Sequence, residues 1–358
     1  MAQAVKDIFD RRFLVSLSDH LASHAEQFDQ AGFLAAFAEP QWSGLELKQR
    51  INFIIEQLHV FIAGDYRQRL VTLNSVAALM PNYKHVVFPG YVAAYGLDDF
   101  DASVEALGWM TRFSTAEFAV RPFIEKYPQK MMQQMMRWTS SDNHHLRRLA
   151  SEGCRPRLPW ASYLNDFIQD PSAIIPILEA LRFDSSDYVR KSVANNLNDI
   201  SKDHPQRVLD LMAQWLNHDR QPKSLVSHAM RTLLRRGDRQ ALALIGFNAV
   251  SHVQLKNFTA NDSLKPTDDL QFAFDLTTDQ SRLGNLRLEF AIVFARLHGK
   301  QSRRVFKISQ ANYRQQRLSV SKIFSFRPVS TRSYYPGEHR LEIIVNGEVK
   351  AGQSFIRD

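Results

Sequence analysis

Two segments of this chain repeat each other. LRRLASEG (Leu146–Gly153) aligns with VRKSVANN (Val189–Asn196), and each follows a turn containing Ser and Asp, SSDNHH and SSDYV. A weaker third copy is VSHAMRTLLRRG (Val226–Gly237). The offsets, roughly 43 and 37 residues, fall in the range of HEAT-type helical-pair repeats. Each copy is preceded by an apolar stretch at helical spacing: PQKMMQQMMRW, AIIPILEAL and RVLDLMAQWL. A helix–turn–helix unit cannot bury its apolar face alone, so the copies are expected to stack into a curved α-solenoid with a concave inner face. LKQRINFIIEQLHVFI (Leu47–Ile62) carries the same period, and residues 1–246 read as helical throughout.

After Phe247 the period changes. LQFAFDLTT (Leu270–Thr278), NLRLEFAIVFARL (Asn285–Leu297), RRVFKIS (Arg303–Ser309) and HRLEIIVNGEV (His339–Val349) are short runs rich in β-branched and aromatic residues. Asn346–Gly347, between two such runs, predicts a tight hairpin. Residues 247–358 are therefore expected to form a small all-β sandwich of immunoglobulin-like type, with the boundary near Gly237–Phe247. No cysteine pair supports it, because the only Cys is Cys154. That single Cys also excludes a disulfide framework and a Cys-rich metal site, and it fits a reducing cytoplasm. No apolar run is long enough for a membrane span and the N-terminus lacks an apolar export core, so a soluble cytoplasmic protein is expected.

The charge is unevenly placed. Of the formal +8, about +7 falls in residues 247–358, where 17 Lys and Arg face 10 Asp and Glu. A basic tail domain on a near-neutral body points to a polyanionic partner, most simply nucleic acid; a merely basic soluble surface has the same composition. Helical geometry adds to this. Arg148 and Glu152 are four apart and share a face; Lys191, Asn195 and Asp199 form the matching stripe, and His228, Thr232 and Arg236 its third version. Val189, Val193 and Leu197 lie on another arc and should face the core. Stacked copies would line up a cationic row beside a polar, acidic one, a surface suited to a nucleic-acid backbone. An ordinary i,i+4 ion pair on a solvated face has the same spacing.

Three further features stand out. EGCRPRLPW (Glu152–Trp160) places two Arg, two Pro and a Trp in one loop. Arg155 and Arg157 are candidate phosphate ligands and Trp160 a candidate aromatic wall, although a Pro-stiffened connector whose Trp caps the core would also have this composition. Ser114–Glu117 matches a capping box, which would place Glu117 at a helix start. No phosphate loop, dinucleotide fingerprint or H-E-x-x-H motif is present, and His144 and His145 are adjacent rather than at chelating i,i+4 spacing. No metal and no cofactor are expected, and Cys154 is read as structural.

LRRLASEGCRPRLPW, with SSDYVRKSVANNLNDISKDHP, resembles the bacterial DNA-alkylation-repair glycosylases built on HEAT-like repeats. YYPGEHRLEIIVNGEVKAGQSFIRD resembles the immunoglobulin-like C-terminal domain that distinguishes their AlkC branch from AlkD. The resemblance covers nearly the whole chain. It implies a monofunctional hydrolase that removes N3-methyladenine, and by extension N3-methylcytosine, from duplex DNA without flipping the lesion into a deep pocket. It implies that Glu117, Glu152 and Trp160 line the lesion site, with Asp199 as a further candidate, and that Arg148 and Lys191 hold the backbone. Arg155, Arg157, Arg190 and Asn195 complete the expected DNA contacts. The partner implied is alkylated double-stranded DNA, met by a monomer associated with the nucleoid. A HEAT-repeat module that binds DNA or protein without chemistry is the competing reading; it makes Glu117 and Glu152 structural. A scaffold with no nucleic-acid role leaves the basic domain and the Arg-rich loop unexplained.

Overall fold

The computed structural model describes residues 5–217, 223–327 and 334–358. Residues 1–4 of the N-terminal segment read above lie outside the described residues. Spatial contact divides the chain into two compact units, Met1–Asp203 and His204–Asp358.

Among the described residues, the first unit holds twelve α-helices. They are α1 (Arg11–His24), α2 (Gln30–Ala35), α3 (Leu47–Phe61), α4 (Tyr66–Leu79), α5 (Val87–Tyr95), α6 (Phe100–Met110), α7 (Arg121–Lys126), α8 (Pro128–Thr139), α9 (His144–Gly153), α10 (Asn165–Gln169), α11 (Ile175–Leu181) and α12 (Asp187–Ile200). The first two repeat copies are α9 and α12, each following the apolar helix predicted for it, α8 and α11. Val189, Val193 and Leu197 are fully buried, as the apolar arc requires. Small and polar residues allow α9 and α12 to approach closely. Ser151 Oγ donates to Ser192 Oγ at 2.7 Å, and the Asn196 side-chain amide donates to the Ser151 carbonyl at 2.8 Å. The turns are tied as well: Asp184, just before α12, accepts both Nε (2.6 Å) and Nη2 (3.0 Å) of Arg147 and the backbone N–H of Ser186 (2.8 Å). The Arg147 and Ser186 hydrogen bonds outweigh the effect of burial and hold the Asp184 carboxyl below its ordinary range.

The second unit begins with α13 (Pro205–Leu216), α14 (Lys223–Ala229), α15 (Arg231–Arg236) and α16 (Arg239–Leu244). The third repeat copy, expected as one helix, is two short ones separated at Met230, so His228 and Thr232 do not share a continuous helical face. Neither Gly nor Pro marks this break; the left-handed Gly237 (φ +74) ends only the second piece.

Eight strands follow: β1 (Val253–Ala260), β2 (Ser263–Leu264), β3 (Leu270–Thr278), β4 (Gly284–Ala295), β5 (Gln301–Tyr313), β6 (Arg317–Phe324), β7 (Gly337–Val345) and β8 (Glu348–Arg357). They form two sheets, ordered β1-β3-β6 and β2-β8-β7-β4-β5. Phe272, Phe274, Leu288, Phe290, Ile343 and Phe355 lie in the core between them. Asn346 (φ +47) and Gly347 (φ +79) make the predicted two-residue turn between β7 and β8, both in the left-handed conformation that a type I′ hairpin needs. The Asn346 amide also donates to the Asn248 carbonyl (2.8 Å), which ties the segment after α16 to the sandwich. The change from helix to strand thus falls between Leu244 and Val253, whereas α13–α16 pack with the strands. No described helix is long and apolar enough to cross a membrane.

Candidate functional site

The first unit brings the sequence-selected carboxylates into one chain of alternating charge. Glu117 Oε2 lies 2.5 Å from Arg148 Nη1, and Arg148 Nη2 lies 3.7 Å from Glu152 Oε1. Glu152 Oε1 also lies 2.6 Å from Arg155 Nη1, and Arg155 Nε lies 2.8 Å from Asp199 Oδ2. Asp199 Oδ1 ends the chain at Lys202 Nζ, again 2.8 Å away. Five pieces of structure supply these residues: the turn before α7, helix α9, the loop after it, helix α12 and the turn that follows α12. Three carboxylates thus face three cations in a largely buried row, so that each buried charge meets an opposite one.

Glu117 is not at a helix start. Residues 117–120 form a turn, α7 begins at Arg121, and its N-cap, Val120, has no polar side chain for the role. The expected capping box is absent because Thr115 turns its hydroxyl to the Glu117 carboxylate instead (2.8 Å), while accepting from Arg148 Nη1 (3.0 Å) and more weakly from the Glu117 N–H (3.4 Å). Thr115 is therefore a member of the site that the sequence did not single out.

The loop after α9 is fixed by a second such residue, Arg121. Its buried guanidinium donates to the carbonyls of Gly153 (3.1 Å), Arg155 (2.9 Å) and Ser162 (2.6 Å). Burial lowers its pKa. A charge with carbonyl partners costs more to bury than one in an ion pair, and here it cinches both ends of the segment carrying Trp160. Trp160 itself is 76% exposed, with φ +67 and its carbonyl accepting from Lys48 Nζ at 2.9 Å. It does not cap the core. A bulky side chain held outward on a left-handed backbone is a strained arrangement that the surrounding loop must enforce. Trp160 borders an open, largely apolar pocket of about 790 Å³ that is also lined by Ile55, Tyr95, Thr115, Phe118 and Arg121.

The other expected contacts are distributed differently. Arg155 faces inward: its side chain is only 7% exposed, and its Nε and Nη1 are engaged by Asp199 and Glu152, the latter just as buried. The two carboxylates raise its pKa against the opposing effect of burial. Asp199, 1% exposed, lies behind Arg155 rather than at the surface. Arg157 is partly exposed, makes a two-pronged pair with Asp203 (2.8 Å to each oxygen) and lies over the Tyr163 ring at 5.0 Å. Arg190 pairs with Asp187 and the Asp184 carbonyl, Lys191 is exposed, and Asn195 is half-buried. Cys154 is fully buried and its thiol is pushed up to about 12 by burial, which removes it as a nucleophile. Among the described residues no cluster of three His, Cys, Asp or Glu is placed to hold a metal ion.

Comparison with known proteins adds the following. The family model described as "DNA alkylation repair enzyme" matches residues 101–233, the span that contains this row, and the one described as "Uncharacterised protein YhaZ, C-terminal Ig-like domain" matches residues 254–356. The chain is 38% identical over 353 residues to "Uncharacterized protein YhaZ" of Bacillus subtilis (strain 168), covering 98% of each. It is also similar to the solved structure of Pseudomonas fluorescens alkylpurine DNA glycosylase AlkC bound to DNA containing an abasic site analogue. That match has 35% identity and a TM-score of 0.90, over 99% of this chain and 100% of that one.

Proposed function

Because the chain belongs to the AlkC branch of the DNA alkylation repair glycosylases, we propose that it hydrolyses the N-glycosidic bond of cationic N3-alkylated bases in duplex DNA, N3-methyladenine first and N3-methylcytosine with it. The observation that carries this reading is the pair Glu117 and Glu152, held on one guanidinium, Arg148, in the unit that presents Trp160 outward.

N3-alkylated adenine carries a positive charge before the reaction starts. When the bond from C1′ to the base breaks, its electron pair goes to the base, which leaves neutral and needs little help from a general acid. The charge then moves to the sugar as an oxocarbenium ion. Fixed carboxylates next to C1′ stabilise that charge, because they are oriented before it forms. Water adds to C1′ from the open side and gives its proton to Glu117 or Glu152, which completes hydrolysis without a metal. The exposed Trp160 face adds a smaller cation–π attraction to the sugar.

In this reading Arg155 and Asp199 act through Glu152: they fix its position and do not touch DNA. Lys191, Asn195, Arg157 and Arg190 remain for the backbone. Residues 1–246 carry the chemistry, and the basic residues 247–358 grip the duplex as part of a monomer working on chromosomal DNA in the cytoplasm. The test is to incubate the purified protein with methylated duplex DNA in EDTA and identify the released bases by chromatography. Release of N3-methyladenine above spontaneous depurination supports the assignment. Salt-sensitive DNA binding with no release would mean a binding module in which the ion-pair row is only structural.

A further inference from the structure

Arg148 is engaged through both Nη atoms and packs against an aromatic ring. Nη1 donates to Glu117 and Thr115, and Nη2 points toward Glu152. The guanidinium lies over the ring of Tyr188, with Cζ 4.9 Å from the ring centroid. Hydrogen bonds hold the guanidinium from its nitrogens, and an aromatic ring packed beside the same cation adds an attraction that keeps it from shifting toward solvent. Tyr188 sits in the first turn of α12, and its ring is met edge-on by His144 (6.2 Å, 75°) and His145 (6.0 Å, 73°) from the start of α9. The repeat explains this meeting. His145 and Tyr188 each precede the first aligned residue of their copies, Leu146 and Val189, so the stacked helices bring equivalent rings together.

We infer that Tyr188 is a positioning residue for the glycosylase reaction, holding Arg148 in place and through it Glu117 and Glu152. The inference rests on the function proposed above and extends it to a residue outside the carboxylate row. Tyr188 is 42% exposed, so the fold needs little from its burial. Burial raises its pKa, which keeps the phenol neutral and the ring face available to a cation. Arg148 Nε is buried without a hydrogen-bond partner, so it adds nothing to what the Nη contacts and the ring do to hold the cation.

The test uses the full-length protein, saturating enzyme and a duplex containing N3-methyladenine. Single-turnover excision, DNA affinity and melting temperature are measured for wild type, Tyr188→Phe, Tyr188→Leu, Arg148→Met and the Arg148→Met/Tyr188→Leu double variant. Tyr188→Leu should slow excision about tenfold, the scale of a partly desolvated cation–π contact, with affinity and melting temperature near those of wild type. Tyr188→Phe should stay within about threefold of wild type, because it keeps the ring face. Tyr188→Leu should add nothing once Arg148 is gone, since the ring acts only through that guanidinium. Wild-type rates in Tyr188→Leu, multiplying effects in the double variant, or an equal loss in Tyr188→Phe would each overturn the inference while leaving the glycosylase intact. Absence of release by wild type would remove both.

Discussion

Replacing Arg155 by Met separates two roles that the sequence could not distinguish. If Arg155 is the internal cation of the row, its loss leaves Glu152 and Asp199 buried with weakened compensation. Glu152 keeps only the 3.7 Å approach of Arg148, and Asp199 keeps Lys202. Removing one partner of a buried ion pair typically costs about 3–5 kcal/mol, because the remaining charge has lost both water and its counter-ion. With a urea m-value of about 3 kcal/mol per molar, the first unfolding transition should move down by roughly 1–2 M at pH 7.5. Adding Glu152→Gln should recover part of the loss, because it removes one of the stranded charges. Urea titrations of both variants, followed by far-UV circular dichroism at pH 7.5, measure this. A loss below about 1 kcal/mol, together with a shallower salt dependence of DNA binding, would refute the internal role and return Arg155 to the phosphates.

Three other perturbations follow from the same structure. Burial holds the His85 imidazole down to about 4, so the unfolded chain binds a proton below pH ~6.5 that the folded one refuses until about pH 4. Stability should be complete above pH ~6.5 and fall by about 3 kcal/mol on the way to pH 4; urea unfolding across that range should show this slope and His85→Leu should flatten it. Trp160→Ala should cost less than about 1 kcal/mol, because the indole is mostly exposed, yet slow base release about tenfold; calorimetry beside the excision assay checks both. Gly347→Ala forces a side chain into a left-handed turn, where its Cβ would stand 2.6 Å from the Gly237 carbonyl oxygen and from Leu242 Cδ1. A loss of about 2 kcal/mol is expected in denaturant titration.

What the sequence revealed depended on how local the cause was. The α9 and α12 repeat, the buried arc of Val189, Val193 and Leu197, and the Asn346–Gly347 hairpin follow from spacing within a few residues, and each is present. Arg148 and Glu152 share a face for the same reason, but their distance lengthens to 3.7 Å because Glu117, 31 positions before Arg148, takes the closer place. Nothing in Ser-Thr-Ala-Glu shows that its carboxylate serves a distant guanidinium instead of a helix start. Arg121 looks like any basic residue before a Pro, since its three carbonyl partners lie 32 to 41 residues away. Strands β1 and β6 were missed because they lie at the edges of the smaller sheet and alternate with many exposed polar residues. Tyr188 was not singled out, because its place over Arg148 depends on the packing of α9 against α12, although aligning the two copies one residue further back sets it opposite His145.

The central claim is that Glu117 and Glu152 carry the chemistry. It is tested most directly by the single-turnover release of N3-methyladenine from duplex DNA by wild type, Glu117→Gln and Glu152→Gln, with DNA affinity measured on the same samples. Wild type should release the base, Glu152→Gln should be slowed by about a hundredfold or more, Glu117→Gln should also be impaired, and all three should bind DNA alike. Unchanged turnover in Glu152→Gln would remove that residue from the mechanism, and wild-type turnover in both variants would contradict the account.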